Sequence, residues 1–200
     1  MTGTAFAATL FGPDDLRVVE RDLGPLAPGR VRLRFRAGGI CGTDLHYFRH
    51  GRTGDFVVNS PLVLGHEVAG EVEEVNADDS GLEVGDRVAV NLSRWCHRCA
   101  RCREGLENLC ENIHFMGSAS KTPHMQGGFS SLFDVTAEQC VKLTVTVSFA
   151  DAALAEPLAV ILHAINRAGK VEGSHVSLCG AGPIGLFMMM AAPGSRVRPA

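Results

Sequence analysis

No stretch of this 200-residue chain gathers lysine and arginine into a run, and the formal net charge is −3. There is therefore no basic footprint for nucleic acid. Long apolar runs are missing as well. The longest uncharged one, residues 181–194, contains Gly-Pro and stops short of the about 18 residues that a membrane-spanning helix needs. Residues 1–12 hold no basic segment, so no signal peptide is expected, and no segment repeats. What remains is 46% hydrophobic and 20% charged, an ordinary globular composition, at a length that suits one large domain or two small ones. Cysteine is not scarce: there are seven, four of them within residues 96–110. In a chain without an export signal such crowding points to metal binding, and a cytoplasmic location with no membrane partner is expected.

Residues 1–90 pattern as short strands and turns. Val31, Leu33, Phe35 and Ala37 alternate with Arg32, Arg34 and Arg36, which predicts a half-buried strand whose arginines form a solvated face. Residues 43–49 pattern as one or two helical turns. Val68, Gly70 and Val72 alternate with Glu71 and Glu73, and a turn at Gly85-Asp86 precedes another strand at 87–92. Several short strands with Gly-rich turns argue for a barrel-like β unit. Residues 129–135 and 140–143 look like strands too. From Ser148, a candidate N-cap, the period turns helical and runs to Ala168, with a kink or break expected near Pro157. A turn at 169–174, a short strand at 175–178 and a helix at 183–192 follow.

Three constellations carry chemistry. Cys96, Cys99, Cys102 and Cys110 have the spacing of four thiolates closing a tetrahedron on one zinc ion, with no position left for water. An iron–sulfur cluster is the alternative, but the ferredoxin pattern has a shorter last gap and a proline after its fourth cysteine, where this chain has Glu111. The second set is Cys41 with His66 and Glu67. Thiolate, imidazole and carboxylate are the donors of a catalytic zinc that keeps one position open. Spacing alone is weak here, because a lone cysteine is more often a small buried hydrophobe. Glu156, flanked by Ala155 and Leu158, is a fourth candidate ligand; its plain alternative is a solvated helix glutamate. The third is Gly180, Ala181, Gly182, Pro183, Ile184 and Gly185, a G-x-G-x-x-G turn between an expected strand and an expected helix, where a dinucleotide pyrophosphate would sit. The acidic residue that would separate NAD from NADP falls beyond Ala200.

Taken together, Gly65-His66-Glu67 with Gly70, Gly85-Asp86-Arg87-Val88, the four-cysteine lobe, residues 155–158 and residues 180–185 resemble the zinc-containing medium-chain alcohol and polyol dehydrogenases. The resemblance runs from about Thr4 to Ala192. It implies an α+β two-domain fold: a GroES-like β-barrel catalytic domain over 1–150, carrying a structural zinc lobe at 95–111, then the truncated start of a Rossmann α/β domain over 151–200. It implies catalytic zinc on Cys41, His66 and one or both of Glu67 and Glu156, and structural zinc on Cys96, Cys99, Cys102 and Cys110. Thr43 and His46 match the family's proton relay. The implied cofactors are Zn2+ at both sites and NAD or NADP, and the implied substrate is a small sugar acid or polyol, with Lys121 and His124 as candidate donors to a substrate carboxylate. A homo-oligomer is expected of a full-length parent. Asn76 stands where the family pattern has Gly or Ala. Residues 191–200 follow no family pattern, and Pro193 is expected to stop the last helix. A non-catalytic zinc-binding remnant is the rival expectation.

Overall fold

The structure is a computed structural model that describes residues 3–169 and 173–192. It divides into two units, Met1–Ala153 and Leu154–Ala200.

The first unit opens with strands β1 (Thr4–Gly12), β2 (Asp15–Asp22) and β3 (Arg30–Gly39), followed by helix α1 (Gly42–His50). Short strands β4 (Arg52–Thr53), β5 (Phe56–Val57) and β6 (Leu62–Val63) lead to the long β7 (Glu67–Asn76) and to β8 (Arg87–Val90). Strand β9 (Ser93–Arg94), helix α2 (Ala100–Arg103) and strand β10 (His114–Phe115) frame the cysteine lobe, and β11 (Leu132–Thr136), β12 (Cys140–Lys142) and helix α3 (Phe149–Ala153) close the unit. One antiparallel sheet runs β11-β3-β7-β8-β12 and a second runs β2-β1-β6. Residues 129–131 stitch the two together: Ala8 N–H donates to the Phe129 carbonyl at 2.8 Å and Ser131 N–H to that of Phe6 at 2.8 Å. The inward residues of the larger sheet, among them Val31, Leu33, Val72, Val88 and Val135, form the core with Met116 and Phe133.

The expected solvated arginine face is only partly there. Arg34 is exposed and pairs with Glu73 at 2.6 Å, but Arg32 is 2% exposed. Val31, Arg32 and Leu33 are buried in succession, because Arg32, on the face opposite the core residues Val31 and Leu33, is enclosed by its ladder partners Glu74 and Asp134 and by the Gly24 segment. Burial is tolerated because the guanidinium is fully engaged: Nε and Nη2 donate to the two Asp134 oxygens at 2.8 and 3.0 Å, Nη1 to Glu74 at 3.3 Å and Nη2 to the Gly24 carbonyl at 3.0 Å. Asn76 lies at the end of β7 with φ outside the left-handed region; its side-chain amide donates to the Leu26 carbonyl at 2.7 Å and holds the turn before β3.

Ser148 is the cap expected of it: its Oγ accepts from Asp151 N–H at 3.0 Å and donates to the Asp151 carboxylate at 2.6 Å. The helical run breaks at Leu154, three residues before Pro157. Proline has no N–H for the carbonyl of Ala153 and its ring would crowd it. The chain therefore restarts as α4 (Ala155–Ala168), which places Pro157 in a first turn.

The second unit contains α4 and α5 (Pro183–Ala191). The strand expected at 175–178 is not formed: no strand among the described residues lies beside it, and a strand without a ladder leaves its backbone groups unpaired. Gly169 caps α4 with φ 78°, while the middle of the expected 169–174 turn and Pro193 lie outside the described residues. Both helices carry exposed apolar side chains: Leu158, Val160 and Leu162 on α4; Ile184, Leu186 and Met190 on α5. Among the described residues no helix is long and apolar enough to cross a membrane.

Candidate metal centres

Cys41 is the N-cap of α1, with extended backbone at φ −75° and ψ 154°. Two segments away, β6 ends and Gly65 turns the chain at φ 92° to deliver His66 and Glu67 at the start of β7. The sulfur of Cys41, a ring nitrogen of His66 and a carboxylate oxygen of Glu67 all lie within 4.8 Å of one another. Soft sulfur, imidazole and carboxylate converging at that range fit a zinc ion with an open position. Two glycines make the approach possible. A Cβ on Gly39 would collide with the Glu67 carboxylate, and one on Gly65 would collide with the Phe129 ring.

Asp44, to which the sequence alone attached no role, braces the set. It is 3% exposed, and one carboxylate oxygen accepts Cys41 N–H at 3.0 Å while the other accepts Gly65 N–H at 3.1 Å. The second oxygen also stands 3.9 Å from His66 Nδ1. One side chain thus ties the cysteine segment to the histidine segment, as outer partners of metal ligands do. The signal was present as Cys-x-x-Asp, a capping box with cysteine in the serine position.

The electrostatics are those of a site short of positive charge. Hydrogen bonding to His66 holds the Cys41 thiol below its ordinary range, helped by the Thr43 backbone and hydroxyl and opposed by burial. Burial pushes the Glu67 carboxyl up, and the Asp44 charge adds to this while His66 and Cys41 pull it back. A carboxylate buried at such cost is relieved by a cation. Thr43 is half-buried beside Cys41, and His46 stands exposed one turn along α1.

The four-cysteine lobe differs in build. Sγ of Cys99 lies 3.5 Å from that of Cys102 and 4.0 Å from that of Cys110, and the four sulfurs lie within 4.8 Å of one another. With Zn–S near 2.3 Å, a tetrahedron of thiolates has edges of about 3.8 Å. The observed spacings bracket that value, so the lobe fits a closed zinc site. Backbone N–H groups of Arg98 and Cys99 lower the Cys96 thiol to about 6, against some burial, whereas desolvation raises Cys102 to about 12. Helix α2 buries nothing, and Leu106 and Leu109 are exposed, so little apolar packing supports the lobe.

One expected residue is placed otherwise. His124 is 5% exposed with both ring nitrogens occupied: Nε2 accepts Asn59 N–H at 3.1 Å and Nδ1 donates to the Lys121 carbonyl at 2.9 Å. It fastens two loops together and has no donor left for a substrate carboxylate. Glu156 is half-buried in the first turn of α4, in the second unit. In that unit Gly180 takes φ 107°, Gly182 caps α5 and Pro183 is its first residue. A Cβ on Gly185 would strike the Gly180 carbonyl oxygen, so the turn folds back onto its own helix start, leaving the first-turn N–H groups of α5 free of intrahelical partners.

The profile of the "Alcohol dehydrogenase GroES-like domain" family matches residues 27–145. The chain is 44% identical over 159 residues to "L-idonate 5-dehydrogenase (NAD(P)(+))" of Escherichia coli K12, covering 80% of this chain and 46% of that protein. It is 43% identical over 186 residues to a sorbitol dehydrogenase of Arabidopsis thaliana, covering 93% of this chain and 50% of that protein. The crystal structure of L-idonate 5-dehydrogenase from E. coli K-12 superposes with a TM-score of 0.90 at 38% identity, over 96% of this chain and 54% of that one. The chain spans about half the length of the curated relatives it matches.

Proposed function

The chain belongs to the alcohol dehydrogenase GroES-like domain family, and from that membership we propose that it serves a zinc-dependent oxidoreductase that oxidises a secondary alcohol of a sugar acid, L-idonate to 5-keto-D-gluconate, with NAD or NADP. The observation that carries the reading is the convergence of Cys41, His66 and Glu67 beside Thr43. When bound, zinc would acidify the substrate hydroxyl as a Lewis acid and the nicotinamide would accept hydride. Cys41 and His66 hold the metal position, with Glu67 or Glu156 as the exchangeable carboxylate. Asp44 keeps the two ligand segments at fixed separation. Thr43 Oγ1 takes the hydroxyl proton and passes it to His46, whose exposed imidazole releases it to water. The turn at 180–185 receives the cofactor pyrophosphate at the start of α5. Cys96, Cys99, Cys102 and Cys110 hold the second, structural zinc.

The test is the rise in absorbance at 340 nm with the zinc-replete chain, NAD or NADP, and either L-idonate or sorbitol. A faster rate on idonate supports the sugar-acid reading; a faster rate on sorbitol favours a polyol dehydrogenase. The exposed apolar residues of α4 and α5 favour a second reading, a zinc-binding remnant that does not hold cofactor. Calorimetry with NADH separates the two, since the remnant gives no binding heat.

A further inference from the structure

Among the described residues outside the two ligand sets, a pair of histidines faces one direction. His46 and His50 sit four residues apart on α1, so their rings share a face. Both are exposed, and their ring centroids are 5.8 Å apart with the planes 39° to one another. Two imidazoles on one ion, with metal–nitrogen bonds near 2.0–2.1 Å at a tetrahedral angle, place their centroids about 5 Å apart. The observed separation is within a small side-chain rotation of that geometry. The rings also project from the last turns of the helix, whose unpaired carbonyls favour a cation, although Arg49 adds one like charge.

We propose that His46 and His50 form a further metal site, taking one divalent transition-metal ion of the imidazole-preferring kind (Ni2+, Cu2+ or Zn2+) with water completing its shell. Imidazole ligands suit these ions and not Mg2+ or Ca2+. The site is surface-bound and reversible, unlike the buried Cys41 set. An ion held there occupies the His46 nitrogen to which the reading above gives the proton, so excess metal would slow the relay. Only that consequence rests on the oxidoreductase reading; the binding itself does not.

The experiment titrates Ni2+ into the zinc-replete chain by calorimetry, with zinc content measured before and after. One saturable event of unit stoichiometry is expected, with zinc retained. Because the second ring acts at high effective concentration, His46→Ala and His50→Ala should each weaken Ni2+ by about tenfold or more, while His163→Ala on α4 changes nothing. Mg2+ should give no heat. Unchanged zinc content in each variant shows that it is folded. Absence of a saturable event, or an event that survives both α1 replacements, overturns the proposal.

Discussion

The two cysteine-bearing regions solve the same problem in opposite ways. In the lobe, all four ligands come from one short stretch of chain, spaced locally, with an α2 that buries nothing. Around Cys41, the ligands come from a helix N-cap and from a turn 25 residues later, and the surrounding fold does the positioning: Phe129 against Gly65, Asp44 across both segments, β7 in the core sheet. The lobe should depend on its metal for structure. The Cys41 set should depend on the structure for its metal.

The sharpest test of that contrast replaces one ligand in each. Cys110→Ser should release the lobe zinc and unfold residues 96–110, because the roughly 10–16 kcal/mol of binding seen in small zinc peptides has no core behind it. Cys41→Ser should lose one zinc and any turnover while leaving the fold intact. Elemental analysis with limited proteolysis reads both; a lobe that stays protease-resistant without zinc would break the comparison.

A second test uses a left-handed glycine from each region. Gly65 has φ 92° and no room beside Phe129, whereas Gly105 has φ 74° and open space. Gly105→Ala should cost about 1–2 kcal/mol, the backbone term alone. Gly65→Ala should cost more by about 1–3 kcal/mol, since Phe129 must move as well. Urea midpoints compare them, and equal losses would mean the Cys41 region is as loosely supported as the lobe.

Asp44→Asn is a finer probe. It keeps the size of the brace but removes its charge, and should weaken zinc at Cys41 by about 10–100-fold with no effect on the lobe. Competition with a chromophoric chelator separates the two ions.

The smallest effect is expected away from both regions. Lys142 Nζ lies 2.7 Å from Asp86 and holds that carboxyl below its ordinary range, with Glu83 N–H assisting. A depressed carboxylate stabilises the fold above its unfolded pKa, and that contribution fades as pH falls through the lower folded value. Lys142→Met should therefore cost about 0–1 kcal/mol at neutral pH and less in acid below both values, where only the Lys142 hydrogen bond to the Gly81 carbonyl is lost. Thermal melts at the two pH values, on zinc-loaded protein at neutrality and on both proteins without zinc in acid, measure it.

The lobe was legible in the sequence because its ligand spacing is local. So were α1, the Ser148 cap, and most strands, since period and capping act over a few residues. Arg32 was not legible: it keeps the outer face its period predicts, but Asp134, Glu74 and the Gly24 carbonyl close over it, and only the tertiary structure brings those segments together. His124 was not legible either, because its partners Asn59 and Lys121 meet it through loop packing. Asp44 could be seen as a capping residue, but its bond to Gly65 crosses 21 positions. The break before Pro157 was expected, while its place at Leu154 followed from where a proline fits a first turn.

By itself, the sequence determined which donors are available, the closed four-thiolate spacing, and the glycines that let backbone and side chains approach closely. Those are matters of chemical type and of contacts a few residues apart. Tertiary structure alone decided that Cys41, His66 and Glu67 meet within 4.8 Å, that Asp44 joins them, and that one arginine of three is enclosed by acidic partners. Contacts between distant segments depend on register and packing, and these are set by the whole core at once.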